Sequence, residues 1–175
     1  EAHSHLGNTL QKLGRLTEAE ASYQQAITVK AEYADAYINL GTVLQQLNRS
    51  AEAIKSYSTA INLKPGSVEA HYNLGVALVE LGRLEEAEAS FRKAIALKPD
   101  FIEAFNHLLK CLFSLNKRSS FLDQLNQIVS TGKTNAVIGS LACRAELKYG
   151  VKVNNSFCSD PLRHLSHIDL TTQCH

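Results

Sequence analysis

Two asparagines that lie 34 residues apart, Asn39 and Asn73, are the side chains of this chain best suited to hold another polypeptide. A side-chain amide offers both a donor and an acceptor, so regularly spaced asparagines could hydrogen-bond the backbone of an extended peptide whatever its sequence. At the same offset the row continues with His5 and His107. The alternative interpretation is that these polar side chains only solvate an exposed surface.

Two further rows run beside this one with the same 34-residue period. They consist of Ser4, Ile38, Tyr72 and Asn106, and of Asn8, Thr42, Val76 and Lys110. An aromatic ring at the middle of such a surface could anchor a ligand where it is best shielded from water, and Tyr72 has that position. The candidate peptide-binding groove therefore comprises His5, Asn8, Asn39, Thr42, Tyr72, Asn73, Asn106 and His107.

The period also predicts the elements that position these residues. Residues 34–67 and 68–101 share 15 identities in 34 positions, which is far above chance and indicates stacked supersecondary units. Helical spacing of apolar residues over 36–47 and 50–63 predicts two helices in each unit, with Ser50 suited to start the second. Pro65 should end that helix because proline cannot continue the hydrogen-bond ladder.

Small and large residues alternate in each unit as close helix packing requires. Gly41, Ala53 and Ala60 would let two helix axes approach, and the ring of Tyr57 would fill the space beside them. This pattern resembles the tetratricopeptide repeat family. The matching positions are Leu40-Gly41, Ala53, Tyr57, Ala60 and Pro65, and again Leu74-Gly75, Ala87, Phe91, Ala94 and Pro99.

The resemblance implies an all-α, right-handed solenoid whose first helices line a concave wall. Three repeats are expected, at 1–33, 34–67 and 68–101. The first lacks the usual proline, since Ala31 stands in its place, and His3 and His71 replace the aromatic residue that the second repeat has at Tyr37.

Residues 102–150 predict a degenerate fourth repeat followed by capping helices. Leu109 replaces the repeat glycine and Phe121 the first small alanine, so this unit must pack differently. Helices are expected over 101–116, 120–132 and 135–150, and a solenoid needs such a cap over its apolar end. The last segment, 151–175, reads as an irregular tail or connector.

The groove lacks the charges of one well-known ligand class. In the carboxylate-clamp repeats of heat-shock cochaperones, Lys, Arg and Asn hold an acidic C-terminus. Asn8 and Asn39 match two clamp positions, but Ser4, Glu69 and Asn73 occupy the basic ones. Without cations the clamp has no counter-charge, so we expect a neutral or basic ligand, unless the recurring acids serve only the helix dipole. Those acids are Glu1, Asp35, Glu69 and Glu103.

Catalysis and metal binding are not expected. His167-Ile168-Asp169 spells two ligands of an iron facial triad, but no third histidine lies well downstream. The cysteines and histidines near the C-terminus have no standard zinc spacing; they are Cys158, His164, His167, Cys174 and His175. We therefore predict no catalytic residue, no metal and no cofactor, and the net charge of +1 argues against nucleic-acid or membrane partners.

Two functions remain open: a scaffold that binds an extended peptide or partner protein, and the substrate-recruiting part of a larger enzyme. Residues 143–162 resemble the connector that precedes a C-terminal 2-oxoglutarate/iron oxygenase-like domain in some repeat proteins. Self-association or membership of a larger assembly is also possible, and the start within a repeat suggests a fragment. A cytoplasmic location is expected, although sequons at Asn48 and Asn154 leave secretion open.

Overall fold

The computed structural model describes residues 2–132 and 135–150, and over these ranges all regular secondary structure is α-helical. The helices are α1 (Ala2–Lys12), α2 (Leu16–Val29), α3 (Ala34–Gln46), α4 (Ser50–Leu63), α5 (Val68–Glu80), α6 (Leu84–Leu97), α7 (Ile102–Ser114), α8 (Arg118–Ser130) and α9 (Ala136–Tyr149). The helices predicted from apolar spacing are confirmed within two residues at each end. The predicted tail, 151–175, lies outside the described residues.

The helices belong to two compact units, of which the first ends at Ala104 and the second begins at Phe105. In the first unit α1 to α6 pack in chain order, each against the next. The first helices also contact one another, α1 with α3 and α3 with α5. Three helical hairpins are therefore stacked side by side, with α1, α3 and α5 on a common side.

Each hairpin is closed by a ring that lies against a glycine. A Cβ built on Gly41 would come within 2.5 Å of Tyr57 Cε1, far inside any real carbon–carbon contact. Gly7 has the same relationship with Tyr23, and Gly75 with Phe91. All three rings are fully buried. The prediction that the repeat glycine is small so that a ring can pack on it is therefore confirmed.

The turns inside the hairpins share one backbone conformation. Gly14, Asn48 and Gly82, again 34 residues apart, have φ between 60° and 73°. Gly and Asn tolerate this left-handed region best, which explains the residue types at this position. Asn116, one further period along, has φ 57°, so the turn persists where the helix-packing signature is lost.

Helix α4 begins at Ser50, as predicted, but the serine does not cap it. The N-cap is Arg49, which makes no side-chain cap hydrogen bond. Ser50 Oγ instead donates to Glu80 Oε2 at 2.5 Å, and the Arg49 guanidinium binds both Glu52 and Glu20. Side chains at this helix start therefore connect neighbouring repeats.

The second unit has an aromatic centre. Phe113, Phe121 and Tyr149 lie with ring centroids 5.9–6.1 Å apart, and Lys148 Nζ lies 4.2 Å from the centroid of Phe113. Leu109 and Phe121, which replace small residues of the regular repeats, are both fully buried. Larger side chains therefore fill the core of this unit. The role of 102–150 as a cap stays a prediction.

Candidate functional site

The surface formed by α1, α3 and α5 carries most of the predicted binding residues. We call it the first-helix face and define it by His5, Asn8, Asn39, Thr42, Tyr72 and Asn73. The two asparagines of its first half contact each other, because Asn39 Nδ2 donates to Asn8 Oδ1 at 3.3 Å. The same oxygen accepts from the Tyr23 hydroxyl at 2.6 Å. Asn8 is therefore partly engaged in joining repeats 1 and 2.

A matching arrangement joins repeats 2 and 3. The Tyr57 hydroxyl donates to Gln45 Oε1 at 2.6 Å and lies 3.3 Å from Thr42 Oγ1. Gln45 Nε2 then donates to Glu80 Oε1 at 3.0 Å. Each tyrosine thus presents its hydroxyl to two polar side chains of its own first helix, and these reach the following repeat.

Burial and neighbouring charge both act on the Tyr57 hydroxyl. Burial raises the pKa of Tyr57 to about 12 against the tendency of the Thr42 hydrogen bond to lower it, and the negative charges of Glu80 and Glu69 raise it further. The pKa of Tyr72 is raised by burial and by Glu103 in the same way. The first-helix face around repeats 2 and 3 is therefore negative.

The third repeat replaces the whole polar set by apolar residues. Where repeat 2 has Thr42, Gln45 and Tyr57, repeat 3 has Val76, Val79 and Phe91. Phe91 has no hydroxyl, and the valines occupy the positions of the two groups that would bind one. Both valines are half-buried, like their polar counterparts. The hydroxyl and its partners have therefore been lost together, which makes this third of the face apolar.

The remaining predicted residues of the first unit differ in their surroundings. Asn73 is half-buried, and its side chain makes no hydrogen bond within the part of the chain that the structure describes. Tyr72 packs against Phe101 and Phe91, with centroids 4.9 and 5.9 Å away. His5 is exposed, and its carbonyl accepts from Thr9 Oγ1. Asn73 therefore has its amide available, whereas one side of the Tyr72 ring is already covered.

Ser4 and Ile38 do not line this face, contrary to the expectation that they form one of its rows. They are only 4 % and 3 % exposed. Both lie early in their helices, where the small side chain of Ser4 and the apolar side chain of Ile38 are accommodated in the core.

The last two predicted residues lie in the second unit. Asn106 Oδ1 is buried and accepts no hydrogen bond from the described residues. His107 is half-buried, and burial, with the nearby Lys110 charge, lowers its pKa. Asn106 and His107 stay predicted members of the site.

A second depression, not predicted from the sequence, lies between α4 and α6 above α5. We call it the outer groove; it encloses two adjoining spaces of about 340 and 300 Å³. Both are lined by Ser58, Leu74, Ala89 and Ser90, and between them by Ile54, Ile61, Asn62, His71, Leu78, Arg83, Glu86 and Lys93.

One substitution between repeats accompanies the outer groove. In repeat 2, Arg49 reaches Glu20 of the preceding repeat at 2.8 Å. In repeat 3 the corresponding arginine is Arg83, but Ile54 stands where Glu20 would be, and Arg83 pairs with Glu86 of its own helix at 2.7 Å. The loss of one acid in the 34-residue pattern was the available sequence signal.

Metal and membrane binding receive no support from the helices. Among the residues that the structure describes, no three His, Cys, Asp or Glu side chains converge as metal ligands. The zinc and iron candidates, with Cys158 as their first member, lie outside these residues, as does most of the connector-like segment. Over the described ranges, the helices are all too short or too polar to cross a bilayer.

The arrangement has many structural relatives. The structure resembles MamA with a TM-score of 0.77 at 19 % identity, over 82 % of this chain and 84 % of that one. It resembles YrrB, a repeat protein described as having an unusual peptide-binding site, with a TM-score of 0.75 at 22 % identity, over 85 % and 76 %. It also resembles the first repeat domain of Spaghetti (RPAP3) bound to the HSP90 peptide SRMEEVD, with a TM-score of 0.65 at 25 % identity, over 66 % and 91 %.

Sequence comparison leads to the same family. No curated protein matches the sequence significantly. Two sequence models, both described as tetratricopeptide repeat, match residues 1–66 and 39–100. Together they span more than half of the chain, and the structural relatives named above share its helical-hairpin stack. The chain is therefore a member of the tetratricopeptide repeat family, with the all-α, right-handed solenoid fold of that family.

Proposed function

We propose that this chain is a protein-interaction scaffold that binds an extended segment of a partner protein on the first-helix face. The observation that carries the proposal is the pair Asn39 and Asn73 on adjacent first helices. Asn39 uses its Nδ2 on Asn8, which leaves its oxygen for a ligand, and the Asn73 amide makes no hydrogen bond within the described part of the chain. Two such amides can satisfy the N–H and C=O groups of an extended backbone.

The Spaghetti (RPAP3) domain supports this use of the fold, because its structure contains a bound peptide. Its peptide, SRMEEVD, ends in acidic residues, and this chain does not offer the charges for such a ligand. Asp35, Glu69 and Glu80 stand on the first helices against Lys12 as the main cation. The segment bound here is therefore neutral or basic.

Binding should be tested with a library of ten-residue peptides in which each position carries Leu, Ser, Lys or Glu. The variant Asn39→Ala/Asn73→Ala removes two neutral hydrogen bonds, each of about 0.5–1.5 kcal/mol, so affinity should fall roughly 5- to 150-fold. Helix content by circular dichroism should stay unchanged, since both side chains are at the surface of their helices.

Asn126→Ala is the matched control. Asn126 is an exposed asparagine of α8, in the second unit, so its removal should leave peptide affinity unchanged. If the double variant binds the selected peptides as tightly as the unmodified chain does, the first-helix face is not the site. The outer groove would then be the next surface to test, with Leu74→Ser as the probe.

A further inference from the structure

The repeats of the first unit differ in the chemistry that they offer a ligand. In repeats 1 and 2 a tyrosine hydroxyl and two polar side chains form a hydrogen-bonded group at the face. In repeat 3, Val76 and Val79 replace the polar pair, and the buried Phe91 replaces the tyrosine. An extended ligand that crosses the face would therefore meet polar groups along two repeats and an apolar patch at the third.

The charge next to the apolar patch is negative. Glu69 lies seven residues before Val76, which places the two on the same stripe of α5, about 10 Å apart along the helix axis. Glu69 is exposed and makes no ion pair among the described residues. A basic side chain on a ligand would give this carboxylate a partner, whereas an acidic one would be repelled.

We propose, building on the function proposed above, that the bound segment carries an aliphatic side chain that packs on Val76 and Val79, together with a nearby Lys or Arg that faces Glu69. The apolar contact and the basic contact would select the partner, while the amides of Asn39 and Asn73 hold its backbone. A segment that lacks both side-chain types would bind this face without that selectivity.

The same Leu, Ser, Lys and Glu library tests this inference. Peptides retained by the unmodified chain should be enriched in Leu at one position and in Lys close to it. Fluorescence anisotropy on one selected peptide should then show affinity falling roughly tenfold when that Leu is replaced by Ser.

The chain provides its own matched variant. Val76→Thr/Val79→Gln/Phe91→Tyr gives repeat 3 the polar set of repeat 2, which folds around its tyrosine hydroxyl in this structure. This variant should bind the selected peptide and its Leu-to-Ser form about equally. Glu69→Gln should in turn reduce the preference for Lys without changing the preference for Leu.

The outcomes separate the two proposals. If peptides bind with no preference for Leu, or if the triple variant keeps that preference, the apolar subsite is wrong and the scaffold function stands. If Glu69→Gln leaves the Lys preference unchanged, the basic contact is wrong. If the unmodified chain retains no peptide at all, both the scaffold function and this inference are overturned.

Discussion

The Tyr57 hydroxyl donates a 2.6 Å hydrogen bond to Gln45 Oε1, which connects the core of a repeat with its binding face. The ring of the same tyrosine fills the space left by Gly41. A single residue therefore sets the distance between two helices and orients a polar side chain at the surface. Gln45 passes the connection to the next repeat through Glu80.

Removing this hydroxyl should destabilise the chain modestly. Tyr57→Phe deletes a neutral hydrogen bond but keeps the packing against Gly41, so the free energy of unfolding should fall by about 0.5–1.5 kcal/mol. The reverse change, Phe91→Tyr, should cost more, about 1–3 kcal/mol, because Val76 and Val79 offer its new hydroxyl no side-chain partner. Urea unfolding followed by circular dichroism measures both.

The triple change Val76→Thr/Val79→Gln/Phe91→Tyr is the control for this comparison. It supplies the partners together with the hydroxyl and should recover most of the stability lost in Phe91→Tyr. Equal stabilities of the single and triple variants would show that the paired replacement of these residues between repeats has no energetic basis.

The sequence predicts the repeat architecture almost completely, because one rule recurs three times. The glycine, the ring opposite it and the left-handed turn each appear at a fixed offset, so each copy supports the others. The fourth unit is harder to predict. Leu109 and Phe121 show that the packing changes there, but their types alone do not say which side chains become their neighbours.

Gly41→Ala should be strongly destabilising for so small a change. The added methyl would overlap the Tyr57 ring at 2.5 Å, and the ring is fully buried, so the helices must move apart. Overpacking of this kind costs about 1–3 kcal/mol. Gly66→Ala is the matched control, because a Cβ at Gly66 meets no atom within 4 Å. A thermal unfolding midpoint that is equally low in both variants would contradict the packing role of Gly41.

Stability should fall at alkaline pH because of the buried tyrosines. The pKa of Tyr57 is raised from 10.0 to about 12 in the folded chain. Between these values the unfolded chain loses the phenol proton first, so the folded state binds more protons and the free energy of unfolding falls as pH rises from 10 to 12. Below pH 10 the contribution is constant.

Urea unfolding at several pH values between 8 and 11 measures this slope. Tyr57→Phe should show a shallower decline than the unmodified chain. Some decline should remain in this variant, since burial raises the pKa of Tyr23 as well. Identical slopes in the two proteins would mean that the Tyr57 hydroxyl is already open to solvent in the folded state.

The binding face is less predictable than the fold, because helical spacing shows which side a residue is on but not what it bonds. The spacing correctly brings Asn8 and Asn39 to the first-helix face, yet their contact with each other depends on how closely two repeats stack. Ser4 and Ile38 follow the same period and are nevertheless buried. The outer groove depends on an ion pair that one repeat makes and the next does not.

Charge reversal on α5 should convert the ligand preference of the face. The unmodified chain should not bind the acidic peptide SRMEEVD, since Glu69 and Asn73 stand where a carboxylate clamp has cations. Glu69→Lys/Asn73→Arg places two cations on adjacent turns of one helix, which can form charged hydrogen bonds with the peptide carboxylates. Affinity should rise at least about tenfold, the factor given by one such bond of about 1.4 kcal/mol.

Isothermal titration with SRMEEVD at low and high salt measures the gain, which should shrink at high salt because the new contacts are exposed. Ser4, the third position that is basic in the clamp, is buried and cannot accept a lysine without disturbing α1, so the gain stays below that of a complete clamp. Lys93 is the matched control: it lies at the outer groove, and Lys93→Glu should change nothing. Binding of SRMEEVD by the unmodified chain, lost in Lys93→Glu, would place the acidic-peptide site in the outer groove instead.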